Sequence, residues 1–171
     1  MGRPSREDAF TAWVGDTQHQ LYRKAYLLTG ERESARDLVQ QVLLSTYLAW
    51  RRVDHPTAYA TTSLVRAFFK VAAHRRRELL SDDVIDVAAP HRAPDDTLTL
   101  LGALAELPPR MRATVMLRFW DDLSVRDTAG VLGCSEGTVK STTSKALAHL
   151  RDRLGEEFTG LDATTATGAT R

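Results

Sequence analysis

The sequence contains a single cysteine, Cys134, so no disulfide can form within the chain. A chain without internal disulfides fits a reducing compartment, and we expect a cytoplasmic protein. No stretch approaches the roughly 18 consecutive apolar residues that read as a membrane helix. The opening residues, MGRPSREDAF, also lack the apolar run that is typical of a signal peptide. The sequence therefore predicts a protein that does not insert into a membrane.

The short motifs of common enzymes are missing as well. There is no GxSxG, no glycine-rich phosphate loop ending in GK[ST], and no HExxH. The five histidines are scattered, and none stands with a carboxylate or thiol at the spacing of metal ligands. We therefore expect no enzyme activity, no metal and no cofactor, and we interpret the chain as a binding protein.

Charge of one sign is not in excess over the whole chain, because the net charge is only +1 at pH 7. The charges are nevertheless segregated. Residues 1–80 contain 13 Lys and Arg against 8 Asp and Glu, residues 81–97 contain 1 against 5, and residues 98–154 contain 8 against 6. Two basic blocks joined by an acidic segment indicate two surfaces for a polyanion.

Helical periodicity is what the sequence has in abundance, since apolar residues recur at three- and four-residue steps. The helical segments predicted in this way are residues 8–28, 31–52, 57–80, 98–106 and 109–120. Residues 81–97 break the pattern with two prolines and five acids, and residues 155–171 are rich in Thr, Ala and Gly. We predict an all-α fold of two small helical domains, 1–80 and 98–154, joined by a flexible acidic linker and followed by a disordered tail.

Residues 122–154 are typical of a helix-turn-helix. Ser124 and Ser135 stand where helix N-caps are needed, and Gly133 stands where a chain leaving a helix commonly turns left-handed. The second helix has one apolar face and one polar, basic face, which is the layout of a recognition helix entering a DNA major groove. The polar face comprises Glu136, Thr138, Lys140, Ser141, Thr142, Ser144 and Lys145. An ordinary helical hairpin with a solvated outer face is the alternative interpretation.

The end of the predicted helix 57–80 is strongly basic. His74 and Arg75–Arg77 follow Lys70 and Arg66. Cations are favoured at a helix C-terminus because of the helix dipole alone. This run exceeds what a helix terminus needs, so contact with phosphate is the interpretation that we favour.

Three stretches, in this order, resemble the extracytoplasmic-function sigma factors of the sigma-70 family, and in particular their short actinobacterial group. They are AYLLTGERESARDLVQQVLL (25–44), AWRRVDHPTAY (49–59) and LAELPPRMRATVMLRFWDDLSVRDTAGVLGCSEGTVKSTTSKALAHLR (104–151). The resemblance covers roughly residues 8–154. It implies sigma domains two and four, a helical bundle and a helix-turn-helix domain, without enzyme activity. Such proteins bind core RNA polymerase and direct transcription initiation, with domain two reading and melting the minus-ten element and domain four reading the minus-thirty-five element.

By position, the resemblance implies three groups of contact residues. The residues that match the polymerase-binding helix are Asp37, Leu38, Gln40 and Gln41. The residues that match the minus-ten surface are Tyr59, Thr62, Arg66, Lys70, His74, Arg75, Arg76 and Arg77. The residues that match the minus-thirty-five surface are Arg118, Glu136, Thr138, Lys140, Ser141, Thr142, Ser144 and Lys145. The implied partners are core RNA polymerase, through its clamp helices and flap, and promoter DNA; an anti-sigma factor is a further partner that the resemblance allows.

The sequence departs from the family pattern at several of these places. Gln41 stands where the family usually has Glu, which removes one charge from the polymerase contact. Thr61 and Thr62 replace a common Arg-Arg pair, and Arg66 replaces a common Asn. The departures concentrate in domain two, so its promoter contacts need not follow those of the family.

Two other classes of protein remain as alternatives. One is a stand-alone helix-turn-helix transcriptional regulator that binds DNA as a dimer. The absence of a sensor or receiver domain and the separate basic block upstream are features against it. The other is a protein-interaction module that binds polymerase but has lost promoter activity, which polymerase binding without transcription would reveal.

Overall fold

The computed structural model describes residues 5–81 and 97–155, and these residues form helices and connecting turns without any strand. The α-helices are α1 (Arg6–Thr29), α2 (Arg32–Ala49), α3 (Pro56–Ser81), α4 (Thr97–Glu106), α5 (Pro109–Val115), α6 (Val125–Leu132) and α7 (Glu136–Leu154). A 3₁₀ turn, Trp50–Arg52, follows α2, and a π-helical turn, Met116–Trp120, continues α5. The predicted all-α class is confirmed. Most of the predicted linker and nearly all of the predicted tail lie outside the described residues.

Helix α1 begins with a reciprocal cap. The Ser5 hydroxyl accepts from the backbone amide of Asp8 at 3.1 Å, and the Asp8 carboxylate accepts from the Ser5 amide at 3.1 Å. Two amides that the first turn leaves without helical partners are thereby satisfied. The helix ends where Gly30 adopts a left-handed φ of 71° and donates to the Tyr26 carbonyl. A side chain at Gly30 would be strained by that φ, and its Cβ would lie 3.7 Å from the Cβ of Ala105 on α4.

The segment predicted as one helix through Trp120 changes its winding. After α5, the π-helical turn closes with a bond from the Asp121 amide to the Met116 carbonyl at 3.1 Å. Asp122 then takes a φ of 49°, the one positive φ of a non-glycine residue in the described chain. These two features turn the chain into α6. Apolar spacing could not predict them, because a π-helical turn inserts one residue into an otherwise helical pattern.

The helices form a first unit, α1 to α3, and a second unit, α4 to α7, and the main buried cluster runs through both. Its large members from the first unit are Leu21, Leu28, Leu38, Val42, Leu64, Val65 and Phe68, and those from the second unit are Met116, Leu117 and Leu132. A smaller cluster, centred on Leu104, Leu107 and Leu150, joins α4 to α7. The two units therefore pack as one body, although the sequence could predict only that two helical regions exist. The domain boundaries themselves stay a prediction.

Two cations cross between the units in opposite directions. Lys24 of α1 forms an ion pair with Asp121 at 2.9 Å and donates to the Thr61 hydroxyl of α3 at 3.1 Å. The Lys24 and Asp121 side chains are only 8% and 10% exposed, so each charge depends on the other.

Arg112 of α5 makes the reverse crossing. Its guanidinium donates to the Leu28 carbonyl at the end of α1 at 2.6 Å, to the Leu107 carbonyl at 3.1 Å, and to the Ala105 carbonyl. It also lies over the Phe68 ring, 5.9 Å from the ring centre. Burial lowers the pKa of Arg112 from 12.5 to about 10, so the side chain still carries its charge at neutral pH. None of the helices in the described ranges combines the length and apolar character needed to cross a bilayer.

Candidate nucleic-acid interface

The helix-turn-helix forms as the sequence predicts. The Ser124 hydroxyl accepts from the Asp127 amide at 3.0 Å, and the Ser135 hydroxyl accepts from the Thr138 amide at 3.1 Å. Gly133 has the predicted left-handed conformation, with φ 62° and ψ 44°. These three residues fix where α6 begins, where it ends and where α7 begins, so they set the angle at which α7 is presented.

Helix α7 has a buried face and an open face. Val139, Ala146 and Leu150 are buried against the rest of the second unit. On the opposite side, six of the seven predicted contact residues are exposed and Thr142 is half-buried. The exposed six are Glu136, Thr138, Lys140, Ser141, Ser144 and Lys145. The structure therefore brings this predicted group together on one accessible helix face.

The electrostatics of this face favour an anion. The first turn of α7 presents backbone amides and the positive end of the helix dipole. Lys140 and Lys145 add two ammonium groups that pair with no carboxylate in the described chain. The hydroxyl of Ser141, by contrast, donates to the Thr138 carbonyl at 3.1 Å. The two lysines are thus the groups on this face that are best placed to meet phosphates.

Arg118 does not lie with this group. It belongs to the π-helical turn, is half-buried, and donates to the Leu123 carbonyl in the loop before α6. Its guanidinium therefore braces the entry to the helix-turn-helix, and part of its hydrogen-bonding capacity is already used. The sequence grouped it with the exposed residues because a lone arginine near a recognition helix gives no sign of the backbone that it reaches.

The predicted minus-ten residues mostly share one face of α3. Steps of three and four residues align them along the helix. The residues on this stripe are Tyr59, Thr62, Arg66, Lys70, His74 and Arg77. Its N-terminal part is half-buried, at Tyr59 and Thr62, whereas the cationic part from Arg66 onward is exposed. The structure thus separates a partly covered half of the stripe from an open, basic half.

Arg75 and Arg76 lie off this stripe. Arg75 is about half a helical turn away from Arg66, and it contacts the start of α2, where it meets Glu31 at 3.2 Å and the Ser34 hydroxyl at 2.8 Å. Arg76 is exposed to one side. The grouping of Arg75 with the DNA-facing residues is therefore corrected: consecutive arginines cannot all face one partner on a helix, because each residue rotates by about 100°.

The predicted polymerase-binding group on α2 needs one correction. Asp37, Gln40 and Gln41 are exposed, but Leu38 is 2% exposed and belongs to the main buried cluster. Leu38 therefore supports this helix from the inside and does not offer its side chain to a partner.

Sequence reasoning missed two residues on the same outer face of α2. Leu44 is 61% exposed and Leu48 is 67% exposed. At steps of four, three and four they continue a line that starts at Asp37 and passes through Gln41. Their signal in the sequence was that both leucines fall outside the apolar stripe that packs inward. Large apolar side chains left in water beside a polar patch are typical of a protein-binding surface.

The structure gives a physical reason for one departure from the family pattern. Thr61 is buried, and its hydroxyl accepts from the Lys24 ammonium. An arginine at position 61 would bring a second cation into the same enclosed space, where like charges repel strongly. Thr62 is half-buried and donates to the Ala58 carbonyl at 3.0 Å. Neither threonine replaces the phosphate-binding capacity of an arginine pair.

Within the described ranges, no three His, Cys, Asp or Glu side chains are placed so that they could hold a metal ion. The chemical potential of these surfaces therefore lies in their cations, hydroxyls and exposed leucines, which suit binding to a polyanion and to another protein.

Comparison with known proteins gives matches across most of the chain. Residues 97–150 match the family model described as Sigma-70, region 4. RNA polymerase sigma-E factor from Streptomyces avermitilis is 36% identical over 162 residues, which cover 90% of this chain and 88% of that protein. ECF RNA polymerase sigma factor SigM from Mycobacterium tuberculosis is 30% identical over 150 residues, which cover 84% and 76%.

Among solved structures, the sigma factor RpoE from Bartonella quintana, crystallised with the anti-sigma factor NepR, is similar to this chain with a TM-score of 0.72. The two sequences are 27% identical, and the match covers 85% of this chain and 96% of that one. Because the match spans so much of both chains, it extends over both helical units and is not restricted to the helix-turn-helix.

Proposed function

Because the chain belongs to the extracytoplasmic-function sigma factors, a non-enzymatic family that directs transcription initiation, we propose that it binds core RNA polymerase and reads both promoter elements. The observation that carries this proposal is the open face of α7. This face stands on a capped helix-turn-helix and presents two lysines that pair with no carboxylate among the described residues.

The minus-thirty-five element is the proposed ligand of α7. Phosphates would be met by the amides of the first turn and by Lys140 and Lys145, while Thr138, Ser141 and Ser144 are short enough to approach base edges. Lysine supplies a point charge, whereas arginine supplies a fork that matches guanine in two places. We therefore expect this helix to draw more of its affinity from phosphates than from guanine recognition.

The minus-ten element is the proposed ligand of the stripe on α3. Arg66, Lys70 and Arg77 form its exposed cationic half. Tyr59 lies near the start of the helix, where an aromatic ring can stack on an unpaired base. The basic half would hold the DNA backbone while the N-terminal half meets the bases.

Core polymerase is the proposed partner of the outer face of α2. Asp37, Gln40 and Gln41 supply hydrogen-bonding groups, and Leu44 and Leu48 supply apolar area that water covers in the free protein. An apolar centre with a polar rim is the usual composition of a protein interface. The Bartonella relative was crystallised with an anti-sigma factor, which supports a protein of that kind as a further partner of this chain.

Run-off transcription would test the proposal directly. Purified actinobacterial core polymerase would be assayed on a promoter library with the native chain, with Lys140→Ala/Lys145→Ala, and with Arg23→Ala as a control. Arg23 is an exposed cation on α1 that lies away from the proposed interfaces, so its removal changes the charge without touching them. Transcripts that require the native chain, persist with the control and fall with the double variant are expected.

Other outcomes would favour the other classes of protein. DNA binding by the chain alone, together with no binding to core polymerase, would favour a stand-alone regulator. Binding to core polymerase without any transcript would favour an interaction module that has lost its promoter activity.

A further inference from the structure

The contact between the two units concentrates on three polar side chains. Lys24, Thr61 and Asp121, here called the interface triad, come from α1, α3 and the residue that follows the π-helical turn. Lys24 lies 2.9 Å from Asp121 and 3.1 Å from the Thr61 hydroxyl, and all three are nearly excluded from water. The triad therefore exists only while the units are packed together.

The same packing covers part of a DNA-reading surface. Helix α6 and the loop before it lie against the N-terminal half of α3. An open groove of about 980 Å³ runs along this contact, with Thr62 on one wall and Trp120, Arg126 and Gly130 on the other. Thr61, next to Thr62, is already buried under the second unit. A DNA strand that followed α3 over its full length would meet the second unit at this point.

A buried ion pair makes such a contact conditional. In the packed arrangement each charge is tolerated because its partner is present, whereas water would solvate both charges if the units separated. Removing one partner leaves the other charge buried and unpaired, which penalises the packed arrangement selectively. Removing both charges in favour of apolar side chains lifts that penalty. The triad can therefore bias an equilibrium between packed and separated units in either direction.

We propose that the protein alternates between this closed arrangement and an open one, and that the interface triad sets the balance between them. In the closed arrangement the N-terminal half of the α3 stripe is restrained by the second unit, while the outer face of α7 stays accessible. Opening frees the whole stripe. The significance of opening for promoter reading rests on the proposed function, whereas the equilibrium itself does not.

Distance measurements between spin labels would test the equilibrium. Labels at Gln18→Cys on α1 and Ala148→Cys on α7, both exposed positions, would be introduced with Cys134→Ser so that no other thiol reacts. The parent should show a distance population that matches the closed arrangement. Asp121→Asn, which keeps the shape but removes the charge, should raise the ratio of open to closed molecules at least tenfold. Lys24→Met should act in the same direction.

Two further variants make the test specific. Lys24→Met/Asp121→Leu should return the distances to the closed population, because no charge is then left unpaired. Glu33→Gln, which breaks the exposed pair with Arg36 at 3.0 Å, should leave the distances unchanged. Should a charge variant lose its helical circular dichroism, Thr61→Val gives a milder perturbation with a smaller shift in the same direction. A parent without the closed distance would overturn the proposal, as would folded charge variants that keep the distances of the parent.

Transcription separates this inference from the proposed function. At limiting protein, variants with a raised open population should yield more run-off transcript than the parent, because fewer molecules must open first. Equal or lower yield from variants with shifted distances would overturn the claim that closure restrains promoter reading. An inactive parent would count against the proposed function, while the distance data would still decide whether the triad controls closure.

Discussion

Helices α3 and α7 are both proposed to meet DNA, yet their surroundings differ. The outer face of α7 is open along its length, and its inner face packs mainly within the second unit. Helix α3 packs into the cluster that both units share, and the second unit partly covers the N-terminal half of its stripe. The comparison shows that two helices with similar proposed ligands need not be equally available. One is presented by its own unit, and the other depends on how the units are arranged.

Truncating one leucine on the inner face of each helix should break the comparison most severely. Leu64→Ala in α3 and Leu150→Ala in α7 each remove a fully buried side chain, so each should lower the free energy of unfolding by about 3 kcal/mol. Leu64 belongs to the shared cluster, so its loss should weaken amide protection in both units, whereas Leu150→Ala should act mainly on the second. Urea titration and hydrogen exchange would measure both effects. Loss of protection confined to the first unit in Leu64→Ala would contradict a shared core.

The cations on the two outer faces give the next largest effect. Lys140→Ala/Lys145→Ala should lower affinity for minus-thirty-five duplex roughly tenfold at moderate salt, and the slope of log affinity against log salt should fall by about one for each phosphate that is no longer bound. Arg66→Ala/Lys70→Ala should leave this affinity nearly unchanged, because those side chains lie on α3. Titration of polymerase-bound protein at several salt concentrations would measure the slopes. A slope that neither pair alters would remove both pairs from the DNA interface.

Removal of a helix cap tests how far α7 depends on its own first turn. Ser135→Ala deletes the hydroxyl that accepts from the Thr138 amide, which should lower the free energy of unfolding by about 1 kcal/mol. Ser144→Ala on the exposed middle of the same helix is the matched control and should change stability little, since alanine has the higher helix propensity. Urea titration of both variants would compare them. Equal losses would show that the cap at Ser135 contributes nothing specific.

The smallest expected effect concerns two neighbouring arginines on α3. Arg75→Ala should weaken minus-ten binding less than Arg77→Ala, because Arg75 is directed toward Glu31 and Ser34 on α2. The exposed pair that Arg75 forms should contribute at most about 1 kcal/mol to stability. Binding of a forked minus-ten probe to the polymerase complex would compare the two variants. A larger loss with Arg75→Ala would return that residue to the DNA surface.

Local patterns in the sequence predicted the helices and the helix-turn-helix well. Ser124, Gly133 and Ser135 act within a few residues of themselves, so their roles could be inferred without knowledge of the rest of the chain. Apolar periodicity placed the helices to within about two residues, as is usual for strongly periodic segments.

The errors concern the face on which a residue lies and the distant groups that it meets. Leu38 was grouped with its polar neighbours, although helical geometry turns it into the core. Arg75 and Arg118 were assigned to DNA because their charge is visible in the sequence, whereas the acceptors at Glu31 and Leu123 are not. The pairing of Lys24 with Asp121 joins residues that are far apart in the chain, and it depends on tertiary packing, which no local pattern encodes.

The π-helical turn at Met116–Trp120 also has a consequence for insertions and deletions in the chain. Each helical residue advances the direction of the next by about 100°, so the length of this turn fixes the angular setting of everything that follows. Loss of one residue here would restore an ordinary α-helix and rotate Asp121 away from Lys24. The helix-turn-helix would keep every one of its own residues and caps, yet it would be pointed in another direction. At this position the number of residues matters as much as their identity.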